Sequence, residues 1–150
     1  MALDCKFAYL RGDQLVLAID PGASRWGLAV VSADGECAAR RVVPSADGPA
    51  AVAEFLREYS VRAVVLGDRT GASSALASLR AFGLHHNVEL VPEHGSTLEA
   101  RRLYFQCNPP RGIWKLLPRG LLTPPVPIDD YAAWVLALRY LGCLPKESPY

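Results

Sequence analysis

The spacing of hydrophobic residues changes along the chain and marks the first elements. Residues 15–19 form a continuous apolar run that ends at Asp20, which predicts a strand buried on both faces. Residues 26–31 and 36–43 predict two further strands, joined by a hairpin turn at residues 33–35. The chain therefore opens with three strands in succession. Before them, Cys5 to Leu10 fits either an extra strand or an ordered arm.

Helical and strand patterns then alternate. Ser96 and Glu99 have the spacing of a capping box, and Asp47 is suited to cap a helix that has Pro49 in its first turn. The predicted elements are a helix after Asp47, a strand at 62–66, a helix at about 73–84, a strand at 88–91, a helix from Ser96 through Gln106 and a helix from Asp129 to about Gly142. This order predicts an α/β fold with a mixed five-stranded sheet, β-β-β-α-β-α-β-α-α, and helices on both faces.

Residues 107–127 differ from the rest of the chain because they contain six prolines. So many prolines exclude a helix or a central strand. Apolar residues such as Ile113, Trp114 and Leu122 are interleaved with them, so the segment is predicted to be an ordered loop packed on the body of the protein. Loops of this length are usually functional.

Length and composition limit the classes of function. The 150 residues, 51% of them hydrophobic and 21% charged, predict one globular domain spanning 1–150. The net charge of +1 excludes a strongly basic coat, so any nucleic acid must meet a local basic patch. The four cysteines form no closely spaced pair, and no apolar run reaches the roughly 20 residues that span a bilayer. A cytoplasmic protein with free thiols, and no membrane partner, is expected.

Acidic residues follow three of the predicted elements or begin them. Asp20 ends the first strand, Glu93 follows the last strand, and Asp129 and Asp130 begin the final helix. Carboxylates that converge repel one another unless a cation lies between them. Mg²⁺ prefers oxygen ligands, and two such ions about 4 Å apart can activate water and stabilise a leaving oxygen. Taken singly, Asp20 fits a turn former, Asp129 an N-cap and Glu93 a surface acid.

Three segments resemble motifs of the RuvC/YqgF branch of the ribonuclease H-like superfamily, in the same order. Residues 20–30, DPGASRWGLAV, resemble the first motif, an Asp after a strand followed by a glycine turn. Residues 92–101, PEHGSTLEAR, are similar to the second, with its Glu at Glu93, although Pro92 and His94 differ from the usual Asp and Arg. Residues 129–133, DDYAA, are similar to the last, and Asp129 matches its acid best.

The resemblance implies a divalent-metal-dependent nuclease acting on structured nucleic acid. Asp20, Glu93 and Asp129 would be both catalytic residues and ligands of Mg²⁺ or Mn²⁺. YqgF-type members are linked to ribosomal RNA precursors, and RuvC-type members cut four-way DNA junctions. RNA, DNA and ribosomal precursor particles are therefore all candidate partners. RuvC resolvases are dimers and YqgF-type proteins are often monomers, so a homodimer is one of two expectations.

Three further residues are auxiliary candidates. Asp130 neighbours Asp129, and Asp68 follows the fourth strand, where a turn former is about as good an interpretation. His94 adjoins Glu93 and has the chemistry to protonate a leaving oxygen, although a polar loop residue is the better explanation of it. Glu99 is better explained as the capping-box partner of Ser96.

Basic and aromatic residues are concentrated after Glu93. Arginines hold phosphates and aromatic rings stack on unpaired bases, which predicts a nucleic-acid interface, with anchoring of the loop as the alternative role for its aromatic residue. The candidates are Arg101, Arg102, Arg111, Trp114, Lys115 and Arg119.

Two other functions are alternatives to the nuclease. The first is a non-catalytic nucleic-acid-binding protein of ribosome assembly with the same fold, which the differences at Pro92 and His94 keep open. The second takes Asp20 and Gly22 as the phosphate loop of an actin-like or sugar-kinase-like ATPase, a fold that needs two such halves and a longer chain.

Overall fold

The computed structural model describes residues 15–69 and 71–143, apart from the side chain of Arg119. The segment from Cys5 to Leu10 lies outside these residues. Five strands and four α-helices are described, together with short 3₁₀ turns at Ser45–Asp47, Gly112–Leu116 and Arg119–Leu121: β1 Leu15–Pro21, β2 Arg25–Ser32, β3 Cys37–Pro44, α1 Gly48–Glu58, β4 Ala63–Gly67, α2 Ala72–Ala81, β5 Val88–Val91, α3 Ser96–Cys107 and α4 Asp129–Leu141.

The strands form one mixed sheet in the order β3-β2-β1-β4-β5. β1 pairs with β2, and β2 with β3, in antiparallel fashion, whereas β1–β4 and β4–β5 are parallel. The sequence-based prediction of a mixed five-stranded α/β fold is confirmed. β1 lies at the centre, and every one of its residues except Asp20 is buried, as expected for a strand covered on both faces.

Side chains alternate between two cores because successive residues of a strand point to opposite faces. Leu15, Leu17 and Ile19 face α1 and α2. Val16 and Ala18 face α4, and Asp20 follows them in the alternation. α3 packs on α4 through a third cluster around Ala100, Tyr131, Ala132 and Val135. Helices therefore cover both faces, as predicted.

Two glycines flank Asp20 on the face that α4 covers. Gly27 of β2 is paired with Asp20, and the parallel register that pairs Ile19 with Leu66 brings Gly67 beside Asp20 on the other side. A Cβ on Gly27 would lie 1.8 Å from the backbone oxygen of Asp129, so the start of α4 rests directly on β2. The missing side chains leave room for other groups to approach Asp20 from both sides.

One predicted helix cap is correct only in its position, and the other is wrong. Asp47 precedes α1 but makes no capping hydrogen bond through its side chain, although Pro49 does lie in the first turn. α3 is preceded by Gly95 in the left-handed conformation, and no side chain caps it. Glu99 instead accepts a hydrogen bond from Arg139 at 3.2 Å, because α4 runs alongside α3. A tertiary partner has replaced the local one.

Two other expectations also need correction. α2 ends at Ala81 rather than near Leu84, and the side chain of Phe82, which directly follows the helix, is 54% exposed. The segment 107–127 forms two 3₁₀ turns whose apolar side chains are mostly exposed, so it is not packed on the body as predicted. Leu122 is its one buried hydrophobic residue among the described side chains. The prolines restrict the backbone of the segment, but this restriction does not bury its side chains.

No helix in the described part of the chain is long and apolar enough to cross a membrane.

The contact between Gly27 and α4 predicts that Gly27→Ala destabilises the protein. The added methyl group would overlap the backbone of Asp129 and force the start of α4 away, at a cost of about 1–3 kcal/mol. Thermal unfolding of this variant should be compared with that of Gly120→Ala, whose added Cβ meets nothing within 4 Å. Equal stability of the two variants would contradict the proposed close contact.

Candidate active site

Asp20 lies near the carboxyl end of the central strand. It is half-buried, between the two glycines described above. The carboxyl ends of parallel strands are where open α/β sheets form their sites. The site is therefore built around the residue that the strand pattern marked first.

Glu93 approaches Asp20 from the β5 side. It follows β5 by two positions, and its side chain is packed so closely over Gly67 that a Cβ there would lie 2.4 Å from its carboxyl carbon. Glu93 is only 3% exposed, and its carboxyl group interacts with that of Asp20 and raises the pKa of Asp20. The backbone N–H of Arg69 donates to Glu93 at 3.3 Å, and the Nε of Arg69 lies 3.5 Å from the same oxygen.

Asp129 approaches from the opposite side, at the first residue of α4. Its backbone rests on Gly27, and its carboxylate accepts a hydrogen bond of 3.1 Å from the Nε of Arg25. Its charge also acts on Asp20. The structure thus brings Asp20, Glu93 and Asp129 together from a strand end, a loop and a helix start.

The electrostatics of the cluster are unfavourable. Burial raises the pKa of Asp20 to about 8, with further contributions from its interaction with the Glu93 carboxyl group and from the charges of Glu93 and Asp129. Arg69 acts in the other direction and lowers the pKa of Asp20. A cation held between the carboxylates would remove much of this repulsion.

The chemistry of the three side chains fits a hard divalent cation, because carboxylate oxygens are the ligands that Mg²⁺ and Mn²⁺ prefer. Among residues 15–69 and 71–143, however, no group of three or more acidic, histidine or cysteine side chains is arranged as a complete metal-binding set. Two of the acids are turned toward arginines instead. The three acids lie close together, but their side chains are not oriented as a ligand set for one ion.

An open pocket of about 310 Å³ adjoins the acids. Arg101 reaches it from α3, and its Nε is buried without a hydrogen-bond partner among the described residues. The end of the proline-rich segment forms another wall, because this end leads directly into Asp129. The lining residues include Asp20, Arg25, Arg101, Thr123, Pro124 and Asp129.

The three auxiliary candidates have different surroundings. Asp68 accepts a hydrogen bond of 3.1 Å from the backbone N–H of Glu93, so it positions the loop that carries Glu93. Asp130 is turned away, in an ion pair of 3.3 Å with Arg40. Burial raises the pKa of Asp130, while Arg40 opposes that shift. His94 is exposed.

The predicted nucleic-acid-binding residues fall into two groups. Arg101 is the member that lines the pocket. The side chain of Arg119 is outside what the structure describes. The remaining members are all exposed: Arg102, Arg111, Trp114 and Lys115.

Sequence reasoning missed the groups that hold the acids in place. Arg25 and Arg69 pair with two of them, and Arg139 donates to the backbone oxygen of Pro92 at 2.6 Å, directly before Glu93. A signal was present for the first two, since each follows a strand end that was already identified. Nothing local marked Arg139, which lies 47 positions from Pro92.

Two solved structures with the same architecture are those of RuvC proteins. The chain superimposes on Thermus thermophilus RuvC in complex with a Holliday junction substrate with a TM-score of 0.56 and 21% identity, covering 84% of this chain and 91% of that one. A second Thermus thermophilus RuvC structure gives a TM-score of 0.51 and 21% identity, over 83% and 91% of the two chains. No protein-family model and no curated protein sequence matches. The likeness establishes a ribonuclease H-like fold.

The raised pKa of Asp20 predicts that Asp20→Asn stabilises the metal-free protein at alkaline pH. The folded state binds the Asp20 proton more tightly than the unfolded chain, so the contribution of Asp20 to stability falls as pH rises from about 4 to about 8. Each pKa unit corresponds to about 1.4 kcal/mol, and we expect a gain of at least about 1 kcal/mol at pH 9. At pH 5 the gain should be small.

Chemical denaturation at both pH values, with a chelator present, measures this difference. Asp34→Asn, in the exposed hairpin turn, is the control for loss of one carboxylate. An Asp20→Asn protein less stable than its parent at pH 9 would show that the Asp20 charge is well accommodated.

Proposed function

We propose that this protein is a divalent-metal-dependent nuclease that hydrolyses phosphodiester bonds in structured nucleic acid. The observation that carries the proposal is the gathering of Asp20, Glu93 and Asp129 at the carboxyl end of the central strand, beside an open pocket. The RuvC-like fold supports it, because one of the similar structures is a complex with a Holliday junction.

Asp20, Glu93 and Asp129 are the residues that would hold Mg²⁺ or Mn²⁺. When bound, the ion supplies an activated water and stabilises charge on the leaving oxygen. The protein's part is to fix the acids: Gly67 allows Glu93 to lie over the sheet, and the backbone contact at Gly27 fixes Asp129. Asp68 and Arg139 hold the chain around Glu93 through its N–H and the preceding carbonyl.

The surroundings of the pocket suit a phosphate backbone and unpaired bases. Arg101 lines the pocket, where a phosphate oxygen would be a good acceptor for its guanidinium group. The proline-rich segment carries Trp114, Arg111 and Lys115, all exposed and available for stacking and phosphate contacts. We propose that this segment is the substrate-facing loop.

Branched or junction DNA is the substrate class that we favour, because the structural likeness is to RuvC. Ribosomal RNA precursors, with ribosomal particles as partners, have support only from the resemblance of residues 92–101 to the YqgF motif. A homodimer is a further proposal that rests on the same kind of resemblance. A binding protein without catalysis remains the alternative function, and a cluster of carboxylates has no evident use in it.

Loss of any one acid should abolish cleavage. In the presence of Mg²⁺ or Mn²⁺, we expect Asp20→Asn, Glu93→Gln and Asp129→Asn each to lower the cleavage rate by more than about 100-fold, since each would remove a metal ligand. The measurement is a gel assay with a panel of single strands, duplexes, four-way junctions and rRNA-precursor ends.

Asp34→Asn is the matched control and should cleave like the parent. A chelator should stop cleavage by the parent protein. Cleavage that persists in a folded Asp20→Asn variant would refute the proposed active site, and binding of the panel without any cleavage would favour the non-catalytic alternative.

The exposed ring of Trp114 predicts a role in binding rather than in folding. Trp114→Ala should weaken binding of single-stranded oligonucleotides by about 1–3 kcal/mol, with little change in duplex binding or melting temperature. Phe82→Ala is a suitable control, because Phe82 is exposed to a similar degree, 54% against 57%, and follows α2 on the other face of the sheet. Fluorescence anisotropy measures the binding. A fall in melting temperature without loss of affinity would show that Trp114 anchors the loop.

A further inference from the structure

Two of the three acids at the candidate active site already have a positively charged partner. The Nε of Arg25 lies 3.1 Å from Asp129, and the Nε of Arg69 lies 3.5 Å from Glu93. The arginine side chains are 51% and 59% exposed, whereas the side chains of Asp129 and Glu93 are 22% and 4% exposed. Each pair therefore joins a fixed acid to an arginine that extends into solvent.

The backbone of each arginine is held at the edge of the site. Arg25 begins β2, and its carbonyl accepts a hydrogen bond of 2.9 Å from Gly22 across the turn after β1. The carbonyl of Arg69 accepts a hydrogen bond of 2.8 Å from Ala72 at the start of α2. The two guanidinium groups therefore have a restricted reach around the acids, even when they leave them.

We propose that Arg25 and Arg69 are exchangeable counter-ions, which a divalent cation displaces from the acids and which then bind the phosphates of the nucleic acid. This inference rests on the proposed metal-dependent nuclease function. It makes these two arginines positioning residues for the substrate strand, in addition to the residues already named.

The balance of interactions favours such an exchange. The pair of Arg25 with Asp129 is partly exposed, and an exposed ion pair contributes only about 0.2–1 kcal/mol, so it is readily broken. Arg69 lies 3.5 Å from the buried Glu93 and is itself largely exposed, so water weakens its hold on that acid. A divalent cation carries twice the charge of a guanidinium group. At the same oxygens it would reduce the repulsion between Asp20 and the other acids more than an arginine does. The released guanidinium groups have the planar donor geometry that matches phosphate oxygens.

A nearby ion pair differs from these two because its arginine has a second contact that holds it in place. Arg40 pairs with Asp130 at 3.3 Å and also lies over the ring of Tyr131, 4.1 Å from its centre. The cation–ring contact holds this arginine in a second way. No such ring contact is found for Arg25 or Arg69 among the described residues.

The test is the affinity for Mn²⁺ without nucleic acid, measured by the loss of the free-ion electron paramagnetic resonance signal. Because the arginines compete with the ion, Arg25→Ala and Arg69→Ala should each bind Mn²⁺ about twofold to fivefold more tightly than the parent. Arg41→Ala, which removes an ion pair with Glu54 remote from the acids, should bind Mn²⁺ like the parent. Circular dichroism checks that each variant is folded.

The controls separate failure of this inference from failure of the proposed function. Mn²⁺ binding by the parent and its loss in Asp20→Asn establish the metal site independently of the arginines. With that established, equal or weaker Mn²⁺ binding by the arginine variants would overturn the exchange. If the parent itself binds no Mn²⁺, the proposed metal site fails and the inference fails with it.

The second arm measures binding of a four-way DNA junction and of a single strand, in Ca²⁺ and over a range of salt concentrations. Each lost phosphate contact should lower affinity and reduce the slope of log affinity against log salt by about 0.7–0.9. The expected combination is therefore tighter Mn²⁺ binding with weaker, less salt-dependent nucleic-acid binding. An unchanged salt slope in both arginine variants would overturn the assignment of these groups to phosphate.

Discussion

The close contact between α4 and β2 at Gly27 is the constraint on which the candidate site depends. α4 is buried along most of its length, and small residues on both sides allow its backbone to approach the sheet. Where the helix begins, this approach places Asp129 next to the strand pair that carries Asp20. A side chain at position 27 would separate the two acids, so the packing of the core and the geometry of the site are set by the same residue.

That packing places three carboxylates close together, and the burial of hydrophobic side chains has to offset the repulsion between them. Burial of Asp20 raises its pKa, and the two carboxylates beside it raise the pKa further. Arg69 relieves the conflict only in part, and its side chain is largely exposed to water. Groups held in such a conflict are concentrated at functional sites. A cationic ligand between the acids would reduce their mutual repulsion, which would explain why the fold holds them together.

The sequence revealed those parts of the structure that local patterns encode. The continuous apolar run at 15–19 predicted a strand buried on both faces, and the resemblance of three segments to family motifs indicated that Asp20, Glu93 and Asp129 belong to one site. Pairings between distant residues had no such pattern. Arg25 and Asp129 are 104 positions apart, and Glu99 lost its expected capping role to Arg139 across 40 positions. The sequence also did not show which apolar residues of the segment 107–127 are exposed to solvent.

The segment 107–127, whose exposure the sequence did not predict, leads directly into Asp129 at the start of α4. The exposed loop ends in Pro124, Pro125 and Pro127, which line or adjoin the pocket and lead into Asp129. Proline fixes one backbone angle at each of these positions, so the connection has few ways to bend. Because α4 is anchored in the core, the loop must leave its first turn in a narrow range of directions. The proposed substrate-facing loop and the proposed site for phosphate chemistry are thereby joined by a short connection with few possible conformations.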